Sequence, residues 1–132
     1  MNEQVGKNPG KRLARMKQKT PKKNKVVIAN RGEIAIRIMQ ACQKLGLEFV
    51  SIYTNEDADS GHCDMARNIG GEQALYKVSS YLDANEIFAV ADASQATAVH
   101  PGYGFFSEDF RFARRVSKRE RKLEFIGPSW QV

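Results

Sequence analysis

The run Lys25-Val26-Val27-Ile28-Ala29 is short, continuous and apolar, with polar residues on both sides, and it constrains the fold more than any other stretch. A strand with one wet face alternates apolar and polar side chains, whereas a run without alternation has to be covered on both faces, as inner strands of a parallel sheet are. Ala96-Thr97-Ala98-Val99 is small and β-branched in the same way. Between and beyond these runs the apolar residues change to helical spacing. After the turn Asn30-Arg31-Gly32, the positions Ile34, Ile38, Ala41, Cys42 and Leu45 predict one helix stripe, closed by Gly46 as a left-handed cap. Glu33 in its first turn and Lys44 in its last match the helix dipole. Phe49-Val50-Ser51-Ile52-Tyr53 is the second strand, and residues 73–78, after the turn Gly70-Gly71, form a weaker third. Ser80 and Asp83 resemble a capping box ahead of Ala84, Ile87, Phe88 and Ala91. A last helix is expected to bury Phe106, Phe110, Ala113 and Val116, followed by the strand Leu123-Glu124-Phe125-Ile126. Three helices alternating with five strands predict an α/β fold with an open, mostly parallel sheet covered on both faces.

A chain of 132 residues with 42% hydrophobic content holds one small globular domain. The formal charge of +6 is unevenly placed: residues 1–25 carry nine Lys or Arg against Glu3 alone, whereas the remainder is slightly acidic. Residues 1–24 are therefore read as a disordered basic tail, too poor in apolar groups to offset their ordering entropy, and residues 25–132 as the folded domain. No apolar run approaches the ~20 residues that cross a bilayer and no segment of signal-peptide type follows Met1, so the expected location is cytoplasmic. Cys42 and Cys63 are expected to be reduced and structural. Residues 54–64 hold Glu56, Asp57, Asp59, His62, Cys63 and Asp64, but their spacing fits no zinc or calcium loop. That stretch is read as an ordinary solvated loop, without a metal.

Chemistry is expected at His100-Pro101-Gly102-Tyr103-Gly104-Phe105-Phe106-Ser107-Glu108-Asp109, where a buried strand runs into a loop and then into a charged helix. Pro101 ends the strand because it has no amide for the ladder. Gly102 and Gly104 permit positive φ on either side of Tyr103, which should project from the turn. Ser107, Glu108 and Asp109 suit the free amides of a helix start. In an open α/β sheet, loops leaving the carboxyl ends of strands are where ligands bind. His100 is read as a strand-end histidine held by its neighbours, and residues 30–32 as a plain strand-to-helix corner lacking the dinucleotide glycine pattern.

Four motifs in one order, Ile28-Ala29-Asn30-Arg31-Gly32-Glu33-Ile34-Ala35, Ser80-Tyr81-Leu82, His100 to Glu108 and Phe125-Ile126-Gly127-Pro128, make the chain resemble the N-terminal domain of biotin carboxylase. The resemblance implies a Rossmann-like, pre-ATP-grasp module of the acetyl-, propionyl- or methylcrotonyl-CoA and pyruvate carboxylases. It implies a biotin-facing wall made by Gly102, Tyr103, Gly104 and Glu108, with no catalytic residue and no metal ligand in this stretch. It further implies biotin and ATP with magnesium as cofactors of the complete enzyme. Its partners would be ATP-grasp and C-terminal domains, a biotin carboxyl carrier domain and a carboxyltransferase. Arg37 matches a basic dimer-interface position of bacterial members, although Gln40 and Lys44 depart from their pattern. Arg67 stands where the family usually has Asp, a charge reversal expected to unsettle local pairing, and residues 118–122 form a basic connection where many relatives have a short glycine turn.

The motifs that hold ATP, magnesium and bicarbonate in that family are not found within these 132 residues, so the chain alone is expected to be inactive. Two rival readings stand beside this one. The chain could be a non-catalytic module that docks on a carboxylase, or a nucleic-acid binder acting through its basic tail, although the folded part offers no extensive basic face.

Overall fold

The computed structural model describes residues 24–127; the basic tail ahead of residue 24, and residues 128–132, lie outside them. The elements are β1 (Lys25–Ile28), α1 (Gly32–Leu45), β2 (Glu48–Tyr53), α2 (Gly61–Gly70), β3 (Leu75–Lys77), α3 (Ala84–Ser94), β4 (Ala98–His100), α4 (Phe110–Ser117) and β5 (Glu124–Phe125). Single 3-10 turns, Asn55–Asp57 and Glu72–Ala74, precede α2 and β3. The strands form one five-stranded sheet in the order β3-β2-β1-β4-β5, and every pairing is parallel.

The absence of alternation in the strands has the expected cause. In β1, Val26 and Ile28 face a core layer built with Ala35, Ile38, Met39 and Cys42 of α1 and Ala66 of α2. Val27 and Ala29 face the other layer, which holds Ile87, Phe88, Val90 and Ala91 of α3 with Phe112 and Val116 of α4. Both faces are thus covered, α1 and α2 on one and α3 and α4 on the other. The chain lays β2 and then β3 on one side of β1 and returns to place β4 on the other side. The change of direction falls between β1 and β4, where Ile28 lies level with His100. In a sheet of this kind that junction is the place for a site.

Several local expectations need correction. The structure has a fourth helix, α2, whose first residues were read as the end of the solvated loop 54–64 and whose remainder was assigned no element, and it buries His62, Cys63 and Ala66. Met65 and Ile69 pack partly buried beside them, so the stripe His62, Met65, Ala66 and Ile69 has helical spacing, but its histidine and the polar residues and glycines around it obscure the pattern. In α1 the buried stripe is Ala35, Ile38, Met39 and Cys42; Ala41 and Leu45 are exposed. α4 starts at Phe110, whose ring points outward, and buries Phe112, Ala113 and Val116. Its cap is Asp109, whose carboxylate accepts the Arg111 and Phe112 amides. The cap of α3 is Asp83, accepting from Glu86, while the Ser80 hydroxyl accepts the Leu82 amide. Arg67 is not left without pairing: it meets Glu72 at 2.8 Å and Asp64 at 3.4 Å. The basic connection before β5 is anchored by Arg119 and Arg121 on Asp92, with Arg121 also donating to the Ala96 carbonyl at 2.6 Å.

Candidate functional site

Asn30 lies two residues beyond the end of β1 and is buried, and its side chain reaches across the junction to the loop that leaves β4. The Asn30 amide nitrogen donates to the Pro101 carbonyl at 2.7 Å and to the Tyr103 carbonyl at 2.8 Å, while its oxygen accepts the Arg31 amide at 2.8 Å. A primary amide has two N–H groups, and both are used here. The plain corner expected at residues 30–32 is therefore the support of the neighbouring loop. From the other side the Gly102 amide donates to Nδ1 of His100 at 3.1 Å, which places the imidazole proton on Nε2, and burial pushes the His100 pKa down. His100 is held by its neighbours, as expected.

Gly102, Gly104 and also Phe105 have positive φ. At Gly102 a Cβ would come within 2.7 Å of the Asn30 amide and 2.8 Å of Ile34 Cγ2, so the glycine serves the loop's own seating on β1 and α1. At Gly104 no atom lies within 4 Å of a would-be Cβ, so that backbone is open to a ligand. Tyr103 projects between them with 79% of its surface exposed. Glu108 is exposed on the same segment. The structure thus gathers Gly102, Tyr103, Gly104 and Glu108 on one loop. Arg37 sits elsewhere, exposed on α1 and paired with Glu33 at 3.4 Å.

Phe105 takes φ +49, a conformation that is costly for a bulky residue and persists only where surroundings hold it. Its ring stacks on Tyr81, with centroids 5.7 Å apart and planes 7° from parallel. Tyr81 is fixed in turn by its hydroxyl, which donates to Asp57 at 2.6 Å and accepts the Thr54 amide at 3.2 Å. Arg31 grips the same carboxylate with two hydrogen bonds of 2.6 Å and lies over the Tyr81 ring. The Arg31 guanidinium holds the buried Asp57 carboxyl down at about 2, against the opposing effect of burial. Burial, reinforced by the bond to Asp57, pushes the Tyr81 phenol up to about 12. His62 completes the group: Nε2 donates to the Ile52 carbonyl at 3.2 Å and Nδ1 faces the Gly32 amide and the Ser60 hydroxyl. Burial lowers its pKa, so it is neutral and structural. The Cys63 thiol donates to the Asp57 carbonyl at 3.1 Å. Burial raises its pKa, which makes it a poor nucleophile.

Asn30, Asp57 and Tyr81 are the residues that sequence reasoning did not single out. Asn30 and Tyr81 stood inside two of the quoted motifs, whereas nothing in the polar run around Asp57 distinguishes a buried carboxylate from a wet one. Beside the loop, a hollow of about 640 Å³ opens between the starts of α3 and α4, lined by Leu82, Phe106, Arg111 and Arg115 among others. Asp83 and Asp109 already occupy free amides at those two helix starts.

Comparison with known proteins agrees with this architecture. Residues 22–132 match the family model described as biotin carboxylase, N-terminal domain. The chain is 47% identical over 111 residues to a biotin carboxylase of Halalkalibacterium halodurans, covering 82% of this chain and 24% of that protein. It is 44% identical over 107 residues to a pyruvate carboxylase of Bacillus subtilis, covering 79% of this chain and 9% of that protein. The chain therefore spans a quarter or less of these curated relatives. Among solved structures, the biotin carboxylase domain of a thermophilic 2-oxoglutarate carboxylase bound to ADP superposes with a TM-score of 0.72 at 39% identity, covering 82% of this chain and 23% of that one. A complete multifunctional pyruvate carboxylase from Rhizobium etli gives 0.72 at 35% identity, covering 82% and 11%. With an all-parallel sheet of the expected kind, the four motifs in order and matches along most of its length, this chain belongs to the biotin carboxylase N-terminal domain family.

Proposed function

We propose that the chain acts in the cytoplasm as one wall of a biotin carboxylase site, with Gly102, Tyr103, Gly104 and Glu108 meeting the biotin. One observation carries this reading: Tyr103 stands exposed beside the unobstructed backbone of Gly104 at the carboxyl edge of the sheet, on a loop fixed by Asn30. A flat ureido ring can lie against such a surface, with the tyrosine beside it and backbone groups within reach.

The remainder of the reaction belongs to other domains. In the complete enzyme ATP with magnesium would activate bicarbonate as carboxyphosphate, and a ureido nitrogen of biotin would receive the carboxyl group. Clamping phosphates takes converging cations and metal-binding carboxylates. Among the described residues no group of three or more His, Cys, Asp and Glu could hold a metal ion. In this reading ATP and magnesium fall to the ATP-grasp domain, with the C-terminal domain, the biotin carboxyl carrier domain and the carboxyltransferase as further partners. Arg37, exposed on α1, is the candidate dimer contact.

The test is reconstitution. The 132-residue chain alone should show no bicarbonate-dependent ATP hydrolysis, and addition of the remaining biotin carboxylase domains should restore biotin carboxylation. In the reconstituted enzyme Tyr103→Ala should lower kcat/KM for biotin by about tenfold, the equivalent of one lost contact of ~1.4 kcal/mol. Turnover by the chain alone, or undiminished use of biotin by Tyr103→Ala, overturns the proposal.

A further inference from the structure

In a doubly wound sheet the junction where strand order reverses is normally an open crevice that takes a ligand. Here the chain itself bridges it. The Asn30 side chain spans from the end of β1 to the loop after β4, with both N–H groups spent on the Pro101 and Tyr103 carbonyls. We infer that Asn30 is a positioning residue: it turns the crevice into a fixed support and sets the height at which Tyr103 and Gly104 are presented. The inference rests on the biotin-facing role proposed for that loop.

Three observations make Asn30 more than a buried polar residue with satisfied bonds. The carbonyl it holds belongs to Tyr103 itself, at a separation of 73 residues, so a displacement at β1 passes directly to the exposed ring. The loop would not keep its shape unaided, because Gly102 and Gly104 leave its backbone free to take other shapes and Phe105 is held at a strained positive φ. The fit is also tight from the opposite side: the atoms nearest a Cβ built on Gly102 are the Asn30 amide and Ile34 Cγ2. Donor, glycine and strained phenylalanine therefore form one arrangement, in which the loop is seated on the asparagine and can sit neither closer nor farther.

Asn30→Asp is the informative substitution. It keeps the size and can still accept the Arg31 amide, but it turns two donors into a carboxylate facing two carbonyl oxygens. In the full chain, hydrogen exchange should quicken by about tenfold or more at the Gly102 and Ser107 amides, both of which are hydrogen-bonded within this segment. Amides inside β2 and α3 should keep their rates. In the complete carboxylase, the same substitution should raise KM for biotin by about tenfold or more while KM for ATP stays in place, since misplacement of a substrate-facing group is costly. Exchange at Gly102 and Ser107 that does not change overturns the clamp itself. Quickened exchange with unaltered biotin kinetics overturns the functional reading of the loop, and the positioning role falls with it. Should Asn30→Asp not fold, Gly102→Ala displaces the loop from the unaltered asparagine, and the same two measurements decide.

Discussion

The most consequential single side chain outside the loop is Asp57, a carboxylate buried to 6% exposure beneath it. Its pKa, held down to about 2 chiefly by the Arg31 hydrogen bonds, lies below the ordinary 3.8 of the unfolded chain. A depressed carboxyl stabilises the fold above its unfolded value and loses that contribution as pH falls toward the folded one. The native chain should lose about 2 kcal/mol between roughly pH 4 and pH 2 from this group, and Asp57→Asn should be weaker by about that amount at pH 7 and flatter across that window. Urea unfolding at pH 7 and in acid measures both. His62 and His100, held neutral by burial, lose stability on the same acid side, starting as pH drops below their ordinary 6.5. Ser51 is the opposite case. Its hydroxyl is wholly buried in β2 and finds no hydrogen-bond partner among the described residues. Ser51→Ala removes that unsatisfied group, and thermal unfolding should show stability kept or raised by up to about 1 kcal/mol.

Elements here begin and end on features that were readable and on features that were not. Gly46 was expected as the left-handed end of α1 and is found there, at φ +72 with its amide bonded to the Cys42 and Gln43 carbonyls. The start of α4 was placed in a polar and acidic triplet, but which of Ser107, Glu108 and Asp109 caps it depends on where the loop delivers the chain. Asp109 takes that role, so Asp109→Ala should cost about 1 kcal/mol and Asp109→Asn only a few tenths, as read by denaturant midpoints. The misplaced burial of Phe110 has the same origin. A stripe starting at Phe106 and one starting at Phe112 both satisfy helical spacing, and the loop decides between them. Phe112 wins because its ring reaches Phe88, Phe106 and Phe125 in one aromatic group.

For the molecule as a whole, the distribution of exposed apolar side chains is informative. Among the described residues Leu82, Tyr103, Phe105 and Ile126 are exposed on segments that leave the carboxyl ends of strands and Phe110 is exposed at the start of α4 beyond one of them, whereas Leu45 stands apart at the end of α1. Among the described residues no helix is long and apolar enough to cross a membrane. Such an edge suits coverage by another protein domain. Since the chain spans a quarter or less of the relatives it matches, the remaining carboxylase domains are the proposed cover. Phe110→Ser should then leave the chain's own stability within about 0.5 kcal/mol while weakening its association with those domains by about tenfold. Calorimetric titration reads the association, and unchanged affinity would remove Phe110 from the contact.

The sequence by itself determined the class of fold, its five strands in order and three of its four helices, because those follow from local signals: runs without alternation, helical spacing, a glycine cap and a proline stop. It also marked the loop around Tyr103, since glycines flanking a tyrosine after a buried strand are a local pattern too. Only the tertiary structure decided what supports that loop. Asn30 meets Tyr103 across 73 residues and Asp57 meets Tyr81 across 24, and a polar side chain reads alike in sequence whether it ends in water or under a neighbouring strand. Its fate is set by strand order, and strand order comes from pairings between distant segments that no short stretch of chain specifies.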